Sequence, residues 1–133
     1  GRDCSSIKEE IKKEYKNEDL KALKVSTGVE SEFYTKKTRL EETTIYADRM
    51  DYKRLGIAFC MDLEKEAKII HNILSKHFEV RSVCCKVCGI DKSEFKLERL
   101  HEDMNKEAIC NPLGQTRILN ETKTDLKFKI VPR

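Results

Sequence analysis

Cysteine is the residue type whose placement suggests chemistry in this chain. Cys60 ends one predicted strand, and Cys84, Cys85 and Cys88 follow at the end of the next, where Cys85-Lys86-Val87-Cys88 forms a CxxC. Cys110 stands directly before Asn111-Pro112, which reads as a helix start. In open α/β sheets ligands bind outside the carboxyl ends of the strands. Thiolates converging there are the soft ligands that zinc, iron and iron–sulfur centres take. A complete structural zinc site would show two CxxC pairs. Here there is one, so further ligands must come from single cysteines on distant segments, chiefly Cys60 and Cys110. Paired strands lie ~4.8 Å apart, so Cys60 can reach Cys84 or Cys85, and alternation lets only one of those two point to a given face. The leading ligand set is Cys60, Cys85 and Cys110, with Cys84 and Cys88 as alternates. Free cysteine also packs as a small hydrophobe, so a structural or partner-binding domain with buried cysteines is the plain alternative. Cys4 lies in a polar segment and is assigned to no site.

Thiol chemistry is the second reading. A redox CxxC normally sets its first cysteine at a helix N-terminus, where the dipole favours the thiolate. The helix predicted next starts only at Asp91, after Gly89, which departs from that pattern. Cys110, just before a helix, and Cys60, close to one, fit it better as nucleophiles of a thiol-dependent enzyme or sulfur carrier. No histidine is placed to act as base: His71 flanks a helix stripe, His77 sits at a helix end and His101 in a polar loop. Phosphate-binding glycine motifs are absent. Arg39, Lys86 and Lys92 could add positive charge to a pocket, although a solvated surface is the default for each.

The elements that must position these residues follow from periodicity. Ser6-Ile7-Lys8-Glu9 reads as a capping box for a helix ending near Asn17, and Asp19 to Tyr34 as a second helix that Gly28 could break. Thr38 and Glu41 form another capping box, for a helix ending near Met50. Residues 54–60 are a continuous apolar run, the mark of a strand buried on both faces. Asp62 is expected to cap the next helix, with Leu63, Ala67, Ile70 and Leu74 buried and His77 closing it. Residues 79–85 form the second strand, parallel to the first. Asp91 with Glu94 starts a short helix through Leu97; 98–106 is a polar loop; 107–110 is a short strand or the approach to a helix. That helix takes Asn111 as N-cap and Pro112 as first residue, and runs to about Asn120 despite Gly114. Leu126, Phe128 and Ile130 alternate with Lys127 and Lys129, a half-exposed edge strand.

With 133 residues the chain suits one domain with a modest core. Its 27 basic and 24 acidic side chains leave a net charge of only +3, with both signs mixed along the helices, unlike the one-sided stripe of a nucleic-acid binder. The Lys-rich end (Lys123, Lys127, Lys129, Arg133) reads as a solvated strand face. No apolar run approaches the ~20 residues of a membrane helix. The N-terminus is polar, but the chain begins with Gly1 rather than Met, so it says nothing about a leader. Cysteines inside hydrophobic strands suit a reducing, cytoplasmic setting. A protein partner, a small molecule or a second copy of the chain is compatible with this composition.

Three strings are distinctive in combination with Thr38-Arg39-Leu40-Glu41-Glu42. They are 55–60 (LGIAFC), 82–92 (SVCCKVCGIDK) and 110–115 (CNPLGQ) followed by Leu119-Asn120. In this order the chain resembles a family of uncharacterised, cysteine-rich prokaryotic proteins described as metal-binding. The resemblance implies that Cys60, Cys84, Cys85, Cys110, Asn111 and Gln115 fall in family motifs. It also implies that glycine often stands where this chain has Cys88, making the CxxC a feature of this member. Members carry further cysteines before this region, and Gly-Leu-Cys and Gly-His-Asp segments after it, so ligands are expected beyond both ends.

The expectation is a single α/β domain over 1–133: a small, mainly parallel sheet of three or four strands flanked by helices (51–133), with an N-terminal helical segment (1–50) packed on it. The expected function is binding of zinc, iron or an iron–sulfur centre through Cys60, Cys84, Cys85, Cys88 and Cys110, with Arg39, Asn111 and Gln115 as further pocket candidates.

Overall fold

The computed structural model describes residues 3–101 and 103–132. Glu102 of the predicted polar loop and Arg133 of the Lys-rich end lie outside them. The chain divides into two compact units, Gly1–Asp51 and Tyr52–Arg133.

The first unit is helical: α1 (Lys8–Glu14), α2 (Asn17–Phe33) and α3 (Arg39–Arg49). The first capping box does not form. Ser6 lies inside a 3-10 turn, Ser5–Ile7, and α1 begins without a side-chain cap and ends at Glu14. Gly28 does not break α2, since its ~1 kcal/mol propensity cost is small beside the packing of a 17-residue helix. The Thr38–Glu41 box is present in both directions, as expected. α2 packs against α3, and Val29 of α2 and Ala47 of α3 are buried. Arg49 ties them, its guanidinium 2.6 Å from a Glu32 oxygen and 5.6 Å from the centre of the Phe33 ring.

The second unit holds β1 (Arg54–Phe59), α4 (Glu64–Leu74), β2 (Glu79–Cys84), α5 (Pro112–Glu121) and β3 (Leu126–Ile130). The sheet has three strands in the order β2-β1-β3, all parallel. β1 is central, which is why Leu55, Gly56, Ile57 and Ala58 are all buried. β3 is an edge, with Lys127 and Lys129 exposed between half-buried Leu126, Phe128 and Ile130. The sheet is covered on both faces. Ser82 of β2 meets His71 of α4, oxygen to Nδ1 at 2.8 Å, while Gly56 faces Leu119 of α5. A Cβ at Gly56 would lie 3.2 Å from the Leu119 methyls, so the absent side chain is what lets α5 settle on β1.

Several expected boundaries move. Asp62 is not the cap of α4; it sits inside a 3-10 turn, Met61–Leu63, and α4 starts after it. α4 ends at Leu74, and His77 lies in the turn beyond. The helix expected at Asp91 is a single 3-10 turn, Lys92–Phe95, stopped by Lys96 in the left-handed region. Residues 107–110 make one antiparallel bridge, Asp91 to Ala108, and no strand. Among the described residues no helix is long and apolar enough to cross a membrane.

Candidate dithiol site at the carboxyl end of the sheet

β1 and β2 end side by side, Phe59 opposite Cys84. The Cys85 amide continues the ladder by donating to the Phe59 carbonyl at 2.8 Å. The chain then leaves the sheet for a long excursion and returns at Asn111, whose amide donates to the Cys85 carbonyl at 2.7 Å. That bond sets the residue before Asn111 beside Cys85, and the sulfurs of Cys85 and Cys110 lie 4.0 Å apart. The pair is unequal. Cys85 is only 7% exposed, whereas Cys110 is exposed. Burial pushes the Cys85 thiol up from the ordinary 9.0 to about 11. The Met61 amide, which donates to its sulfur at 3.4 Å, opposes that rise, and the neighbouring Cys110 and Cys84 thiols add to it.

The remaining cysteines are placed differently. Cys60 is half-buried; its amide donates to the Ile130 carbonyl at 2.9 Å and its sulfur lies 3.9 Å from an Asp62 oxygen. Cys84 is half-buried, its sulfur accepting the Lys86 amide at 3.5 Å. Cys88, second member of the CxxC, is exposed with φ of +71°. Glycine enters that region freely and other residues enter it at a cost of roughly 1 kcal/mol. Cys4 is exposed. Among the described residues no three or more His, Cys, Asp or Glu side chains gather closely enough to hold a metal ion. Of the expected three-cysteine set, the sulfurs of Cys85 and Cys110 are adjacent, and Cys60 directly precedes Met61, whose amide contacts the Cys85 sulfur.

The non-cysteine candidates have structural tasks. Asn111 caps α5, its Oδ1 accepting from Gly114 at 2.8 Å while its Nδ2 donates to the Val87 carbonyl at 3.3 Å. Gly114 is required by this cap rather than a weakness of the helix, because a Cβ there would fall 2.6 Å from Asn111 Nδ2. Gln115 is buried, and its Nε2 donates to the carbonyls of Phe59 (3.1 Å) and Val83 (3.0 Å), joining the ends of β1 and β2. Arg39 belongs to the first unit, where it is exposed and pairs with Glu42 at 3.1 Å. Lys86 donates to the Ala108 carbonyl at 2.7 Å, holding the excursion closed near its base.

Charge patterning did not single out the network that shapes this excursion. Glu107 lies 2.6 Å from Lys92 and accepts the amides of Leu100 and His101. Asp91 accepts the amides of Ser93 and Glu107 and lies 3.5 Å from Arg99. The only local signal was the Asp91–Glu94 capping box. Hydrogen bonds from Ser93 first, then from the Glu107 amide, hold Asp91 down at about 2. The Lys92 ammonium, with the Leu100 and His101 amides, does the same for Glu107, also about 2. Depressed carboxyl values contribute stability that is full above their ordinary values and is lost as pH falls toward the folded ones. Acidification from pH 5 to pH 2 is therefore expected to loosen 91–107. Carboxyl-carbon NMR titration should give midpoints for both groups near 2; midpoints near 4 would contradict the network.

A groove of about 510 Å³ is lined by Ile11, Tyr15, Leu23, Tyr46 and neighbours, all in the first unit, and by none of the residues flagged from sequence.

Comparison with known proteins adds a family. The family model described as "Protein of unknown function (DUF1847)" matches residues 2–131. Over 130 residues the chain is 56% identical to "Uncharacterized protein MJ0455" of Methanocaldococcus jannaschii, covering 96% of this chain and 67% of that protein. No solved structure matches significantly.

Proposed function

This chain belongs to the DUF1847 family of unknown function, and within it we propose that the chain holds a single thiophilic metal ion on the Cys85–Cys110 dithiol. The observation that carries this reading is the 4.0 Å between the two sulfurs. Two thiolates on one tetrahedral zinc, each ~2.3 Å from it, stand about 3.8 Å apart. The pair needs almost no movement to share an ion. An iron–sulfur cluster fits less well, since it takes four thiolates and no group of three is assembled among the described residues. Cys84, whose thiol acts on Cys85, is a reserve ligand. When bound, a zinc ion would supply Lewis acidity at positions the protein leaves open.

Cobalt(II) titration of the reduced full chain tests this. A thiolate-to-cobalt charge-transfer band should saturate at one equivalent. Cys85→Ser and Cys110→Ser should each weaken binding by at least about tenfold, and Cys88→Ser should leave it unchanged. Absence of the band, or an equal loss in Cys88→Ser, would defeat the reading.

A further inference from the structure

We infer that Cys85 and Cys110 also act as a dithiol reductant of disulfides, with Cys110 the attacking sulfur and Cys85 the resolving one. This activity does not depend on the metal reading, because it needs only the metal-free pair.

Three observations carry it. The sulfurs are 4.0 Å apart and come from segments joined by the Asn111–Cys85 backbone bond. A disulfide, at ~2.05 Å, is then reached by closing about 2 Å with the neighbouring backbone already tied. Exposure also divides the labour. Cys110 is open to solvent, while Cys85 is buried and can react chiefly with what Cys110 has captured. Burial that slows attack from outside is offset for the partner sulfur by proximity, which gives intramolecular reactions effective molarities on the order of 10⁵ M. Finally, two exposed apolar side chains lie next to the pair in the chain: Met61, whose amide touches the Cys85 sulfur, and Leu113, three residues after Cys110. Exposed apolar side chains favour a disulfide with apolar flanks.

The chemistry balances with the disulfide itself as oxidant. The Cys110 thiolate attacks one sulfur of RS–SR, forming a mixed disulfide and expelling RS⁻, which takes up the proton Cys110 gave to solvent. Cys85, deprotonated in turn, attacks the Cys110 sulfur and expels the second RS⁻, which is also protonated. The dithiol loses two electrons and two protons, and one disulfide becomes two thiols. The CxxC is not the pair, since the sulfur that Cys85 meets is that of Cys110 and Cys88 sits exposed on a left-handed turn.

The test uses the full chain, reduced and treated with chelator, mixed with one equivalent of a small aromatic disulfide. Two aryl thiols should be released per disulfide consumed, and a non-reducing peptide map should show a Cys85–Cys110 cross-link. Cys85→Ser should stop at one aryl thiol with the adduct on Cys110. A cross-link running instead through Cys88 or Cys84, or a mixed disulfide that persists on Cys110 of the unsubstituted chain, would overturn the inference. The map of the unsubstituted chain decides the matter even where a variant does not fold. Cobalt binding without cross-linking would leave the metal reading standing and remove this one.

Discussion

Iodoacetamide at pH 8 is expected to modify Cys110 and spare Cys85, with rates that differ by about tenfold or more. The thiolate is the nucleophile. A thiol raised from 9.0 to about 11 holds about a hundredfold less thiolate at this pH than an ordinary one. Burial of Cys85 then limits access of the reagent as well. Cys4 and Cys88, both exposed, should label alongside Cys110. Timed alkylation followed by peptide mass mapping gives each rate separately. The contrast should shrink as pH approaches 11. Stability should move with it: a raised thiol value leaves stability unaffected below 9.0, and stability is lost as pH rises from there toward about 11, because the unfolded chain ionises first. Equal rates at pH 8 would mean that Cys85 is not buried as described.

Gln115→Met is expected to lower unfolding stability by about 1–3 kcal/mol, read as a shift of the urea midpoint at unchanged slope. Methionine nearly conserves volume, so the change isolates the amide. Nε2 of Gln115 serves two carbonyls at once, Phe59 on β1 and Val83 on β2, in a position only 7% exposed. Phe59 keeps its ladder bond from Cys85 when the amide is lost, which holds the expected cost within this range. The damage should be concentrated where the strands end, so Cys85 should become more reactive in this variant. A midpoint unchanged within about 0.3 kcal/mol would show that the bridge contributes nothing net.

The strands were legible because their patterns are extreme. A run such as 55–60 has no polar face to offer, and only the middle of a covered parallel sheet accepts it. Leu126, Phe128 and Ile130 alternate with lysines, which suits only an edge. The Thr38–Glu41 box and the Asn111-Pro112 start were legible because capping is local chemistry. The Ser6 and Asp62 caps were misread because both residues fall inside short 3-10 turns that precede the helix proper, and no periodicity announces such a turn. Within the candidate site, the sequence pattern brought Cys60, Cys85 and Cys110 to the carboxyl ends of the strands. It set Cys110 ahead of Cys88 as a partner of Cys85, but it could not give the distance between the two sulfurs. That distance rests on a loop held by Lys86, Asp91 and Glu107, contacts between residues up to 22 positions apart. Gln115 carried a fainter signal: it is polar and lies one turn before buried Leu119, on the face of α5 that should be apolar.

One carboxylate oxygen has a reach beyond its own neighbourhood. Asp125 Oδ2 accepts the amides of both Lys53 and Arg54, across 72 and 71 positions of chain. It stands just ahead of β3 and grips the chain just as β1 begins. A parallel strand that slips by one residue turns every side chain to the opposite face. In β3 a slip would send Lys127 and Lys129 inward. The grip acts as an index mark: with Leu126 set against Leu55, each later pair follows in step to Ile130 against Phe59. At the far end of that count the Ile130 carbonyl receives the Cys60 amide. The residue that opens the ladder therefore sets which carbonyl of β3 meets the Cys60 amide beyond the end of β1.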